Sequence, residues 1–207
     1  MLKTYYIPNC VEAGCDEAGR GPLAGSVFAA AVVWNNNVPT SDPMLQLLND
    51  SKQLTEAERY ELRPWIEQNA TCWAVAEVTA EEIDRLNILN ASILAMHRAL
   101  TKLSIQPEHI IVDGNKWKPY VPEDSVMEIP VNTVVKGDGK YCSIAAASIL
   151  AKTYRDDYMS RLHEQYPMYG WDHNKGYPTA EHYQALAKYG PSPWHRKTFR
   201  LKKENNV

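Results

Sequence analysis

The chain has 207 residues, 44% of them apolar and 23% charged, with a formal net charge of −3. That length suits one domain with a substantial core, and the mild acidity excludes a wholly basic, histone-like binder, so any nucleic-acid contact must come from a local patch. No cationic start followed by an apolar run opens the sequence, and its apolar stretches are too short to span a bilayer, so the expectation is a cytoplasmic protein that touches no membrane.

Residues 11–15 and 27–34 read as two strands joined through a glycine-rich turn, a near-hairpin. The first strand leads into Asp16 and Glu17, and then into Gly19-Arg20-Gly21. Two adjacent acids where a first strand should be buried are costly unless something positive neutralises them, and a divalent cation is the usual answer. Glycine on both sides of Arg20 lets bare backbone and a guanidinium approach a phosphate or a sugar. Residues 35–43 form a loop, and 45–54 a short structured piece with Lys52 at a turn. Thr55 with Glu58 is a capping box that opens a helix to about residue 67.

Residues 72–78 are a third strand, and Thr79 with Glu82 is a second capping box. Ile83, Leu86, Leu89, Ile93, Met96 and Leu100 recur at helical spacing and carry one helix to about residue 103. A short buried strand over 110–114 ends in Asp113 and Gly114, and a fifth strand over 131–135 precedes a turn holding Asp138. The helix predicted over 143–160 is dense in small residues, which lets it lie close on a sheet. Thr179 opens a last helix to residue 188, and Gly190 ends it. Strands grouped early and then alternating with helices imply an α/β fold, a mixed five-stranded sheet with helices on both faces.

Cys10, Cys15, Cys72 and Cys142 show no CxxC pair and no zinc-like spacing, as expected of free thiols in a reducing compartment. Between residues 182 and 203 there is no acid, while Lys188, Arg196, Lys197, Arg200, Lys202 and Lys203 supply six cations. Tyr189, Trp194 and Phe199 are interleaved with them, which favours a folded, nucleic-acid-facing element over a solvated tail.

Asp16, Glu17, Asp113 and Asp138 sit at or just beyond strand ends, where ligands gather in open α/β sheets. Four carboxylates without a His or Cys cluster favour a hard cation, Mg²⁺ or Mn²⁺, over zinc, and such a set can hold two ions. Consecutive strand residues face opposite ways, so Asp16 and Glu17 meet one metal only if the strand bends at Glu17, or if Glu17 reaches with its longer side chain or its carbonyl. Asp156 competes with Asp138 for the fourth place. Roughly 20 Å of helix axis divides the two, and Lys152 four residues before Asp156 marks the latter as half of a helix-surface ion pair. Asp138 is therefore the preferred ligand.

The stretches GCDEAGRGPLAG (14–25), DSKQLT (50–55), VDGN (112–115), VVKGDGK through SIAAASILAK to RD (134–156), KGYPT (175–179) and GPSPWHRKTF (190–199) occur in one order across nearly the whole chain. Together they resemble ribonuclease HII, the type 2 ribonuclease H family. The chain departs from the family's usual pattern at Ser26, where proline is common, and at Thr153-Tyr154; neither is a candidate ligand.

The resemblance implies a ribonuclease H-like catalytic domain over residues 1–165, with a small helical, basic, nucleic-acid-contacting appendage over 166–207 packed on it. It implies an endonuclease that cuts the RNA strand of RNA–DNA hybrids, single ribonucleotides embedded in duplex DNA included. Asp16, Glu17, Asp113 and Asp138 match the family's catalytic acids. Gly19, Arg20 and Gly21 match a turn whose backbone contacts the ribose 2′-hydroxyl, Tyr177 a tyrosine that stacks on the next sugar, and Lys52 a phosphate-contacting lysine. Each also has a plainer reading, Tyr177 as a core tyrosine and Lys52 as a solvated turn residue. His173, His182 and His195 lack catalytic spacing and read as structural or phosphate-contacting.

The expected chemistry is hydrolysis by external water on the 5′ side of a ribonucleotide, leaving a 3′-hydroxyl and a 5′-phosphate, with two cations present when substrate is bound. The 2′-hydroxyl is then a recognition handle and not the nucleophile. The expected partner is hybrid or ribonucleotide-containing duplex, acted on by a monomer. The rivals are a structure-selective DNA nuclease on the same fold and a hybrid-binding protein without catalysis.

Overall fold

The computed structural model describes residues 1–199, so Arg200, Lys202 and Lys203 of the basic run lie outside the described residues. Five strands, β1 (Glu12–Ala18), β2 (Val27–Val33), β3 (Cys72–Val78), β4 (His109–Asp113) and β5 (Val131–Val134), form one sheet in the order β3-β2-β1-β4-β5. β1, β2 and β3 pair antiparallel, whereas β4 joins β1, and β5 joins β4, in parallel. β2 is buried along its whole length, which is why it reads as a continuous apolar run rather than an alternating one.

Helices cover both faces of that sheet. On one lie α3 (Ala80–Leu86) and α4 (Ile88–Thr101), packed through Ile83, Ala95, Met96 and Ala99 onto Ala13, Cys15 and Ala29. On the other lie α1 (Pro43–Leu47), α2 (Glu56–Asn69) and the long α5 (Cys142–Gln165). The small residues of α5 permit a close approach, and Gly14 completes it. A Cβ on Gly14 would stand 2.4 Å from Ser143 Oγ and 2.6 Å from the Ile144 amide nitrogen.

Both predicted capping boxes form, with Glu58 and Glu82 each accepting from the N-cap amide of its helix. The single helix expected through residue 103 is instead two. Asn87, at φ 66°, ends α3, and its side chain accepts from the Asn90 amide at 3.1 Å to start α4. Apolar spacing continues across that break, so periodicity conceals it, and asparagine is among the few residues that take positive φ readily.

Beyond α5 come a 3-10 turn at Pro167–Tyr169, α6 (Trp171–Asn174) and α7 (Ala180–Tyr189). They gather a third apolar cluster from Met159, Leu162, Tyr169, Trp171 and Leu186, with Leu23 and Ala24 of the glycine-rich turn inside it. Trp194 and Phe199 pack against this cluster, and Arg196 is only 3% exposed. Within the basic run, Arg196 therefore points inward and Trp194 and Phe199 pack against the core, whereas Lys188, Tyr189 and Lys197 are exposed. The four cysteines are free thiols, three of them buried. Among the described residues, no helix is long and apolar enough to cross a membrane.

Candidate active site

β1 carries both of its acids within the strand. Pairing with β2 runs unbroken through Asp16↔Ala30, Glu17↔Ala29 and Ala18↔Phe28, so the strand does not break at Glu17. The two side chains accordingly take opposite faces. Asp16 shares the α5 side with Ala30, and Glu17 the α4 side with Ala29, where it borders a small cavity beside Ser92 and Met96. They converge only because β1 ends there, next to the end of β4. Asp16, Glu17 and Asp113 all line one open cleft of about 400 Å³.

Asp138 lies behind these three, 2% exposed, in a 3-10 turn (Gly137–Gly139) entered through Lys136 at φ 56°. The turn is tied to β4, since the Gly137 amide donates to Asp113 Oδ1 at 2.7 Å. Asp138 Oδ2 is buried without a hydrogen-bond partner, and its nearest cation is Lys52 Nζ at 3.6 Å. Lys52 itself is held by a turn in which its amide donates to Asp50 Oδ1 at 2.9 Å.

The carboxylates disturb one another. Burial first, and then the charges of Glu17 and Asp113, push the Asp16 carboxyl well above the usual carboxylate range, against hydrogen bonds from Ser148 and the Glu17 amide. Burial also raises Glu17, opposed by Arg20, whose Nη1 stands 3.1 Å from Glu17 Oε1. Burial and the Asp113 charge raise Asp138.

Gly19-Arg20-Gly21 forms another wall of the cleft, and Tyr177 stands beside it. Gly19 has φ +95°, and a Cβ there would meet Arg155 Nε at 2.0 Å, so both conformation and space require glycine. A Cβ on Gly21 would touch the Tyr177 ring at 3.4 Å. Tyr177 is 41% exposed, which removes its reading as a core tyrosine.

Lys152, Arg59, Ser51 and Ser148 also line the cleft, although nothing in the sequence singled them out for it. Ser51 and Ser148 share a buried 2.8 Å hydrogen bond that docks the lysine turn onto α5. The Lys152–Asp156 pair forms as expected, at 2.6 Å, but Asp156 is 2% exposed and so belongs to the interior rather than the helix surface. Lys152, not Asp156, faces the cleft. His182 and His195 are buried, and His173 is exposed between Asp172 and Glu181, so none of the three lines it.

Among the described residues, no three His, Cys, Asp or Glu side chains close into a ready-made metal cage. Asp16, Glu17 and Asp113 instead line an open cleft, and their oxygen donors and raised carboxyls, with the partnerless Asp138 oxygen buried behind them, fit a hard cation.

The same architecture recurs in solved structures. Ribonuclease H2 from Pyrococcus horikoshii superposes with a TM-score of 0.74 at 29% identity, over 91% of this chain and 93% of that one. An RNase HII from Archaeoglobus fulgidus, solved in complex with PCNA, gives 0.73 at 25% identity, over 94% of this chain and 97% of its own. Sheet order, flanking helices and the acid-lined cleft define a nuclease with the ribonuclease H-like fold.

The relatives narrow the class. The family model for ribonuclease HII matches residues 13–205. The ribonuclease HII of Bacteroides thetaiotaomicron is 58% identical over 97% of this chain and 95% of its own length, and that of Phocaeicola vulgatus 59% over 97% and 94%. The chain belongs to the ribonuclease HII family and is a ribonuclease H-type endonuclease.

Proposed function

We propose that the chain hydrolyses the RNA strand of RNA–DNA hybrids and cuts 5′ of single ribonucleotides in duplex DNA, with Asp16, Glu17, Asp113 and Asp138 holding Mg²⁺ or Mn²⁺. The observation that carries this reading is the shared cleft, in which a wall of carboxylates and the Gly19-Arg20-Gly21 turn with Tyr177 border one space. Two divalent ions, when bound with substrate, supply an activated water and stabilise charge on the leaving oxygen.

The chain's own groups do the rest. Asp16 and Asp113, at the ends of neighbouring parallel strands, are fixed to within the precision of the sheet. Asp138 is fixed through the Gly137–Asp113 hydrogen bond. A 2′-hydroxyl can accept from backbone amides, and a glycine-flanked turn offers those amides without side chains in the way. The Tyr177 ring beside Gly21 suits a sugar face on which an added hydroxyl would be felt. Lys52, its side chain 80% exposed, suits a phosphate approaching from outside. Met159 and Leu162 of α5 share one apolar cluster with the C-terminal elements, and we assign residues 1–165 to catalysis and the remainder to supporting the reading turn.

Three labelled duplexes test the reading: one with a single ribonucleotide, its all-DNA twin and an RNA–DNA hybrid, each with Mg²⁺ or Mn²⁺ and with chelator. Cleavage of the first and third, abolished by chelator and leaving 3′-hydroxyl ends, is the expected result. Cutting of the all-DNA twin would mark a structure-selective DNA nuclease. Binding of the hybrid without any cutting would mark a non-catalytic binder.

A further inference from the structure

Arg196 is a buried cation with an unusual set of partners. Its Nε donates to the Gly25 carbonyl at 2.9 Å, Nη1 to those of Arg20 and Pro22 at 3.1 and 2.8 Å, and Nη2 to that of Gly19 at 2.6 Å. One guanidinium thus gathers four carbonyls from a single turn, and among the described residues none of its hydrogen bonds goes to a carboxylate. The backbone beside it is docked as well, because the Arg196 amide donates to the Leu23 carbonyl at 2.8 Å and the Gly25 amide to that of Trp194 at 2.9 Å.

The geometry of the peptide plane gives this arrangement a consequence. In a trans peptide the C=O of one residue and the N–H of the next point in opposite directions, and there are no cis bonds among the described residues. Drawing the Gly19 and Arg20 carbonyls inward therefore turns the Arg20 and Gly21 amides outward. Both residues are exposed and line the cleft, and among the described residues neither amide donates a hydrogen bond within the protein. Two oriented, unengaged donors side by side form a receptor for one oxygen acceptor.

We infer that Arg196 is a positioning residue for ribose recognition: by holding the Gly19 and Arg20 carbonyls it aims the Arg20 and Gly21 amides at the 2′-hydroxyl. The inference rests on the ribose-sensing reading of the turn. Arg155 extends the same scaffold, donating to the Ser26 and Ala24 carbonyls and, across the cleft's edge, to that of Lys175 next to the Tyr177 loop. Burial and the neighbouring Arg155 push Arg196 down to about 9, which leaves it charged at neutral pH. Lysine cannot substitute, because a tetrahedral ammonium has three donors and no planar fork to reach four carbonyls.

The test uses the full chain with Arg196→Lys, the single-ribonucleotide duplex and its all-DNA twin. In Mg²⁺, the variant should lose on the order of 10²-fold in kcat/KM on the ribonucleotide duplex, as a misaimed contact does. The fall should lie in kcat, with KM and the Kd for the all-DNA twin each within about threefold of the unsubstituted chain.

Glycine-labelled ¹⁵N spectra in chelator supply a readout that general weakening of the fold would not move. In the unsubstituted chain, the Gly21 amide should shift with the ribonucleotide duplex and not with its twin. In Arg196→Lys that selectivity should vanish. A Gly21 amide blind to the ribonucleotide in the unsubstituted chain would overturn the ribose-sensing reading itself. A Gly21 amide that responds equally in both proteins would overturn only the role of Arg196. Should the variant not fold, the unsubstituted chain still decides: Arg196 Nη protons that exchange freely with solvent in the complex would overturn the inference.

Discussion

Asp16 and Arg196 are both nearly fully buried charges, 5% and 3% exposed, yet their surroundings are opposite. Arg196 meets four backbone carbonyls at hydrogen-bond distance, which engages four of its five donors. Asp16 accepts from the Glu17 amide at 2.7 Å but faces the like charges of Glu17 and Asp113. A buried charge with most of its donors held by the backbone is scaffold, and a buried charge crowded by its own kind is a place prepared for a counter-ion. The two regions meet at the Gly19-Arg20-Gly21 turn, whose outer side faces the acids and whose inner side faces Arg196.

The largest effect expected from this contrast is at the acids. Asp16→Asn, or Asp113→Asn, should lower turnover by on the order of 10³-fold. In chelator at pH 7, the melting temperature of Asp16→Asn should match or exceed that of the unsubstituted chain. The sign follows from the raised carboxyl: its contribution to stability is present below the ordinary carboxylate pKa and is lost as pH rises through the folded value. At neutral pH the buried Asp16 carboxyl is thus a cost that asparagine removes. A drop of several degrees on substitution would place Asp16 with the scaffold charges and break the contrast.

The C-terminal region makes a smaller prediction with the opposite pH dependence. Trp171 Nε1 donates to His182 Nε2, so His182 carries its proton on Nδ1 and gives it to the Tyr177 carbonyl at 2.9 Å. His195 Nε2, 3.0 Å from His182 Nε2, must then be the donor of that pair, while its Nδ1 accepts from the Ser192 amide. Two neutral imidazoles locked in this way resist protonation. Burial and His182 push His195 down to about 4, and burial lowers His182.

Unfolded histidines take up protons near pH 6.5, which the folded pair refuses. Stability from the pair is therefore full above about pH 6.5 and falls as pH drops toward 4. Melting curves from pH 7 to pH 5 should show a loss of several degrees, at about 2–4 °C per kcal/mol for a chain of this size. His195→Asn should flatten that slope. An unchanged slope in the variant would mean that the pair is not what holds this region neutral.

The sequence announces these two regions unequally, for a physical reason. Capping boxes at Thr55 and Thr79 close within three residues, so their signal is complete in a short window. The acids are legible because each stands at the end of a recognisable strand, and β3 falls at the expected residues. Arg196 is different: its partner Gly25 is 171 residues away, and a lysine- and arginine-rich stretch looks the same whether it is solvated or folded inward.

Asp156 lies in the interior rather than on the helix surface for a similar reason. Its local partner Lys152 is visible at four residues, but the packing that buries Asp156 while leaving Lys152 at the cleft comes from outside α5. Ser26 shows that even a departure from the family pattern can be absorbed. Its hydroxyl meets Tyr158 Oη at 3.2 Å and its carbonyl still receives Arg155.

The smallest expected effect sharpens the contrast at its edge. Lys52 belongs to the acid cleft but is not buried, its side chain 80% exposed and its Nζ 3.6 Å from Asp138 Oδ2. What burial it has would lower its pKa, and the charges of Asp138, Asp50, Asp16 and Asp113 outweigh that and raise it. It can serve as a counter-ion to the acids or as a contact for an incoming phosphate, and the two differ in salt dependence. A phosphate contact releases counterions, so Lys52→Ala should raise KM several-fold, leave kcat nearly unchanged and reduce the slope of log affinity against log salt by about 0.9. A lysine that only neutralises Asp138 would leave that slope intact and instead change the concentration of divalent cation needed for half-maximal activity. The exposure of Lys52 favours the first outcome, because a group that water already reaches has little to offer a buried acid and much to offer a polyanion arriving from solvent.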